Sequence, residues 1–167
     1  MSKVRGFEVV KDEHKQYAQT VVAHGKQMTV QEDTKLPVRA DERSAGYDFF
    51  MPVDFTLLPA QKTIIFSNVK AYMEDDEVLE LYPRSSMGIK QGLMLSNTVG
   101  IIDSSYYENE SNDGNIGLPL LNSSGRAIHL KRGDRVAQGV FKKYLKSDNG
   151  NEYLSEKRTG GMGSTGK

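Results

Sequence analysis

Two aspartates stand where a carboxylate could serve as a general base. Asp48 lies in Ala45-Gly46-Tyr47-Asp48-Phe49-Phe50, and Asp103 closes Val99-Gly100-Ile101-Ile102-Asp103. An acid at the end of an apolar strand is held rigidly at a sheet margin, where it can orient and deprotonate a water. Aspartate is also an ordinary turn former, and spacing alone favours that plainer reading for both. Other chemistries fall away. The chain has no cysteine, which removes thiolate zinc sites, cysteine nucleophiles and disulfide scaffolds together. His14, His24 and His129 lack metal-ligand spacing, and His129 alternates with Ile128 and Leu130 like a surface strand residue. Gly161-Met162-Gly163-Ser164-Thr165-Gly166-Lys167 has the glycine-to-glycine-lysine spacing of a phosphate loop. It lacks the preceding strand and the following helix-opening Ser/Thr. No Gly-x-Ser-x-Gly nucleophile elbow occurs.

The elements that must carry these acids read as β-strands. Residues 4–10, 53–58, 63–73, 78–82, 98–102, 115–121, 126–130 and 135–144 are strand-like. Turn chemistry separates them, as in Glu74-Asp75-Asp76, Asn112-Asp113-Gly114, Ser123-Ser124-Gly125, Arg132-Gly133-Asp134 and Asn149-Gly150. Val78-Leu79-Glu80-Leu81-Tyr82 and Val136-Ala137-Gln138-Gly139-Val140 alternate with the period of two that a half-buried strand needs. Many short strands at close spacing predict an all-β sandwich or barrel. Residues 11–22 fit a short helix or a polar excursion equally. The 167 residues suit one domain with a real core. Four of the 16 glycines fall at Gly160, Gly161, Gly163 and Gly166, a stretch with little to bury. It reads as a disordered tail, or as an arm that orders over an anion through Arg158, Ser164, Thr165 and backbone N–H groups.

Charge and hydropathy narrow the partners. With 22 basic and 22 acidic residues the formal net charge is zero, which argues against a general nucleic-acid or membrane-surface binder. No apolar run reaches signal-peptide or bilayer length, so the cytoplasm is the expected compartment. Sequons at Asn109 and Asn122 then read as chance matches in loops.

Five segments, taken in order, resemble the five motifs of the trimeric dUTP diphosphatase (dUTPase) family. They are Ser44-Ala45-Gly46-Tyr47-Asp48-Phe49, Pro83-Arg84-Ser85-Ser86-Met87-Gly88, and Asn97-Thr98-Val99-Gly100-Ile101-Ile102-Asp103-Ser104-Ser105-Tyr106. Gly133-Asp134-Arg135-Val136-Ala137-Gln138 and Arg158-Thr159-Gly160-Gly161-Met162-Gly163-Ser164-Thr165-Gly166 complete the set. Each is weak alone, but five in the right order are specific, and the match spans all but the first thirty or so residues.

The resemblance implies a distorted jelly-roll, β-sandwich-like fold and a homotrimer with three shared sites. It implies one β domain over residues 1–157, with an atypical extension at 1–34, and an arm at 158–167 that closes over a neighbour's site. The implied reaction is dUTP plus water giving dUMP and pyrophosphate, with Mg²⁺ held by the triphosphate and water rather than by protein ligands. Asp103 would take the general-base position. Asn97 would read the uracil edge, or simply open the turn before Thr98. Tyr106 would pack under the deoxyribose and exclude a 2′-hydroxyl, or be a core aromatic. Arg84, Ser85, Ser86 and Gln138 would hold phosphates, although Arg84 could instead pair with the acidic run at 74–77. Arg158, Gly163, Ser164 and Thr165 would clamp from the arm, and Asp48 would support the site. Met162 stands where the family carries an aromatic lid, and methionine covers a base with less fixed geometry. Arg158 sits one residue nearer the glycine pair than is usual. The stretch 107–114 is longer than the usual turn, polar, and suited to a surface loop or to a contact with a partner. A dCTP deaminase-like enzyme of the same broad fold and a non-catalytic binding relative are the competing readings.

Overall fold

The computed structural model describes residues 3–15 and 33–149. The described residues contain twelve strands. β1 (Gly6–Val9), β2 (Val38–Arg39), β3 (Tyr47–Phe50), β4 (Phe55–Leu57), β5 (Lys62–Phe66) and β6 (Val69–Tyr72) form the first half. β7 (Glu77–Pro83), β8 (Leu93–Leu95), β9 (Gly100–Asp103), β10 (Gly117–Asn122), β11 (Ile128–Leu130) and β12 (Arg135–Lys143) follow. The single α-helix among the described residues, α1 (Ser85–Gln91), joins β7 to β8. Every pairing is antiparallel. The sheets run β2-β3-β12-β7-β9, β5-β10-β8, β1-β6 and β11-β4. No helix among the described residues is long and apolar enough to cross a membrane.

One apolar cluster unites the sheets. Phe49, Leu57, Leu79, Leu81, Leu118, Leu120 and Leu130 are almost fully buried in it. β12 is the spine: it pairs with β3 on one side and β7 on the other, with a register shift between Arg135 and Ala137. Gly139 on this strand has no room for a side chain, since a Cβ would fall 2.9 Å from Leu79 Cδ1 and 3.0 Å from Phe49 Cε2. Close sheet packing therefore depends on a bare backbone at that point.

The structure departs from the sequence-based expectations at several places. The run 63–73 is not one strand but two, because Ser67-Asn68 forms a turn with Asn68 in the left-handed region at φ 59°. Asn68 tolerates this conformation because Asn115 Oδ1 accepts its N–H and Asn115 Nδ2 donates to its side-chain oxygen. Residues 12–14 make a 3₁₀ turn between Lys11 and Lys15, and residues 16–22 lie outside the described residues. The sequons are not free loop positions. Asn122 ends β10 fully buried, donating to Leu57 O and Arg126 O, and Asn109 is 7% exposed with its amide on Tyr106 O. The stretch 107–114 is no plain surface loop either, since Asn109, Asn112 and Asp113 are buried in it.

Candidate active site

Asp48 lies on β3 opposite Gln138 of β12, which lies opposite Tyr82 of β7. It is only 5% exposed and carries two guanidinium partners, Arg84 Nε at 2.8 Å and Arg135 Nη1 at 3.3 Å. Two cations on one carboxylate leave a surplus positive charge at the surface, and each guanidinium has donors beyond those the carboxylate takes. Arg84 therefore does not join the acidic run at 74–77. Glu77 is held by Arg5, with Nε at 3.0 Å, and Asp76 by Lys143 Nζ at 2.7 Å. These contacts lower the carboxyl pKa of Glu77 and of Asp76. Gln138 donates Nε2 to Pro83 O at 3.2 Å. A Cβ on Gly46 would stand 2.5 Å from Gln138 Oε1, so the glycine is what lets this amide lie beside β3.

Arg84 is also the residue before α1, with extended backbone and no side-chain cap. Ser85 and Ser86 follow it exposed in the first turn, where helix N–H groups lack intrahelical partners. The helix is pinned by Met87, which joins the core, and it stops at Gly92 in the left-handed region.

The other half of the site is a cavity of about 200 Å³ lined by Asn97, Gly100, Ile101, Ile102, Tyr106 and Pro119 among others. It is below the roughly 300–1,000 Å³ of pockets for drug-sized ligands and suits one nucleoside-sized group. Pro119 lies in its wall, and its carbonyl accepts Ser96 N–H at 2.7 Å, one residue beyond the paired end of β8. Asn97 is exposed in the turn that leaves β8, and its neighbour Thr98 is held at φ 64°. A β-branched residue in that region is strained, which fits a turn fixed for a purpose other than its own stability. Tyr106 is 5% exposed and its phenol donates to Asn115 O at 2.8 Å, so it is both a core aromatic and a cavity wall. Asp103 ends β9 exposed, next to the Gly100–Ile102 backbone that lines the cavity.

Within one chain the two halves are apart. Asp103 opposes Val78, whereas the Asp48–Gln138 row opposes Tyr82, four residues along β7. That is about 13 Å along the sheet, and Asp48 lies three strands from β9, roughly 14 Å across. The Asp48 cluster and the Asp103 cavity are thus assembled, but not together. Arg158, Met162, Gly163, Ser164 and Thr165 lie outside the described residues, as does the whole expected arm. Among the described residues no three His, Cys, Asp or Glu side chains group as a metal cage. A second cavity, about 430 Å³ between Lys35, Phe50, Asn68 and Arg132, contains none of the candidate residues.

Sequence reasoning passed over Arg135, which stood inside the fourth motif as a second cation for a buried acid. It also passed over Asn109 and Asn112, whose roles depend on contacts that no local pattern announces.

Comparison with known proteins bears on the same residues. The dUTPase family model matches residues 32–166. A deoxyuridine 5′-triphosphate nucleotidohydrolase of Lactococcus lactis is 38% identical over 164 residues, covering 98% of this chain and 99% of that protein. The mouse nucleotidohydrolase is 30% identical, covering 81% of each. The crystal structure of the Streptococcus mutans dUTPase superposes with a TM-score of 0.70 at 35% identity, covering 86% of this chain and 99% of that one. The dUTPase of phage phi11 of S. aureus, at 19% identity and TM-score 0.65, shares the fold. A jelly-roll-like β fold, five ordered motifs and a near full-length match converge, and the chain belongs to the dUTPase family.

Proposed function

We propose that this protein hydrolyses dUTP to dUMP and pyrophosphate in sites completed between copies of a homotrimer. The observation that carries the reading is the nucleoside-sized cavity with Asn97 and Tyr106 in its wall and Asp103 beside it. Asn97 offers a donor and an acceptor to the uracil edge, and Tyr106 closes the space that a 2′-hydroxyl needs. Asp103 holds a water and takes its proton as the water oxygen attacks the α-phosphorus. The α–β bridging P–O bond breaks in line with that attack, and pyrophosphate leaves. Arg84, with Ser85 and Ser86, and Gln138 hold the phosphates, and Asp48 fixes the Arg84 guanidinium. Arg158, Gly163, Ser164 and Thr165 close over the γ-phosphate from the 158–167 arm, and Met162 covers the base.

Mg²⁺ would be held by the triphosphate and water rather than by protein ligands. The chemistry of the donor set favours this: Asp48 is committed to two arginines, and a phosphate-borne ion needs no protein cage. When bound it neutralises charge on the phosphates. The separation of the Asp48 cluster from Asp103 favours sites shared between chains, because one triphosphate cannot bridge both within a protomer. The reaction belongs in the cytoplasm, where free nucleotides feed DNA synthesis.

Incubation with dUTP and with dCTP, with and without Mg²⁺, tests the reading. Pyrophosphate release from dUTP is expected, with Asp103→Asn at least ~100-fold slower though still binding dUTP. Ammonia from dCTP without dUTP cleavage, or near-normal turnover by Asp103→Asn, would reject it.

A further inference from the structure

The asparagine-rich stretch after Tyr106 grips that residue at both ends. Asn109 Nδ2 donates to the Tyr106 main-chain oxygen at 2.9 Å. Asn112 Nδ2 donates to the Tyr106 phenol at 2.7 Å, and the phenol donates in turn to Asn115 O. Asn112 Oδ1 accepts from Asn109 Nδ2 and from Gly114 N, which ties the two grips into one network. The loop is itself fixed. Lys70 Nζ bonds Asp113 at 3.0 Å, Lys11 N–H bonds the same carboxylate at 2.8 Å, and Asp113 and Gly114 both take left-handed backbone. A Cβ on Gly114 would lie 2.8 Å from Tyr106 O, so the loop backbone packs directly on the tyrosine it holds.

We propose that Asn112 is a positioning residue for sugar discrimination: it locks the Tyr106 phenol so that the ring cannot yield to a 2′-hydroxyl. The inference rests on the dUTPase reading above and deepens it. Exclusion by a wall works only if the wall is stiffer than the intruding group is repulsive. A ring held only by packing can tilt. A ring bonded at its phenol and at its own carbonyl, by a loop anchored to β6 and the N-terminal segment, has no such freedom. The same network explains why this stretch is long and rich in asparagine: each carboxamide supplies a donor and an acceptor at a buried point where water cannot substitute.

Asn112→Leu breaks the contact. It removes the donor to the phenol and the longer donation to Asn115 O at 3.3 Å, and unlike aspartate it leaves no carboxylate to accept the phenol O–H. kcat and KM are measured for dUTP and for UTP in the full-length protein. The dUTP-over-UTP ratio of kcat/KM should fall about tenfold, the value of one lost hydrogen bond, through a rise in UTP turnover and in KM for dUTP. Tyr106→Phe should give the same fall, and Asn112→Leu should lower the ratio no further in that background, because the shared contact is already gone. An unchanged ratio in Asn112→Leu, or equal loss on both substrates, overturns the proposal, as does a Tyr106→Phe protein that keeps the wild-type ratio. If the unaltered protein cleaves no dUTP, the functional reading itself fails, and that is seen before any variant is made.

Discussion

Lys70 is a lysine with 4% of its surface exposed, and it is held by Asp113 at 3.0 Å and Glu108 at 3.1 Å. Lys70→Met keeps the buried stem and removes the charge, leaving Asp113, 2% exposed, without its nearest cation. Breaking a buried pair from one side costs about 3–5 kcal/mol, chiefly the desolvation of the charge left behind. The Lys11 N–H at 2.8 Å and Lys11 Nζ at 3.9 Å from Asp113 remain, which places the loss near 3 kcal/mol, the low end of that range. For a chain of this size the melting temperature should fall by roughly 6–12 °C. At one fixed protein concentration, urea unfolding measures the free-energy loss and a thermal melt the temperature shift. The double variant Lys70→Met/Asp113→Asn should regain at least half, because no lone charge stays buried. The pH dependence has a definite sign. Burial alone would raise the Asp113 pKa, but the Lys11 N–H and Lys70 outweigh it and hold the carboxyl below its ordinary 3.8. Burial would likewise lower the Lys70 pKa, but Asp113 and Glu108 hold the ammonium above its ordinary 10.5. The carboxylate's contribution is therefore full above pH about 4 and lost as pH falls further, and the ammonium's is full below about 10.5 and lost as pH rises. The stability gap between wild type and Lys70→Met should be flat in between and close at both ends. A loss under about 1 kcal/mol, or a double variant as unstable as the single, would refute the reasoning.

Mixed assemblies of Asp103→Asn with Arg84→Gln chains should recover activity that neither has alone, read as pyrophosphate release after co-refolding. No recovery in confirmed hybrids would count against sites shared between chains. Gly139→Val should destabilise by about 1–3 kcal/mol, since its Cβ would meet Leu79 and Phe49 at 3.0 Å or less; an unchanged denaturation midpoint would show that β12 can move. Asn122→Ala should cost about 2–4 kcal/mol by orphaning buried Leu57 O and the Ser124 N–H, and a thermal shift within 1–2 °C would contradict it.

What could be read from the sequence depended on whether a signal was local. β7 and β12 were legible because Val78–Tyr82 and Val136–Val140 alternate against one buried face. β3 was hidden: Tyr47-Asp48-Phe49-Phe50 carries a buried acid whose partners, Arg84 and Arg135, are 36 and 87 residues away. α1 was hidden because Ser85–Gln91 is too short to be helical on propensity, and the burial of Met87 is what decides it. The Ser67-Asn68 break carried a local signal, a polar turn-forming pair between Ile64-Ile65-Phe66 and Val69, but the residue that stabilises it, Asn115, is 47 residues away. For the site, residue types and motif order named the candidates, but only the register of β7, β9 and β12 separated Asp103 from the Asp48 cluster.

That four-residue offset along β7 also bears on how activity should scale with quantity. A folded but solitary chain would present a base without phosphate anchors and phosphate anchors without a base. Dilution would then silence it without unfolding it, and specific activity would follow mass action, rising more steeply than linearly until association saturates. The geometry of one sheet would thereby make hydrolysis a measure of how much of the enzyme the cell has made.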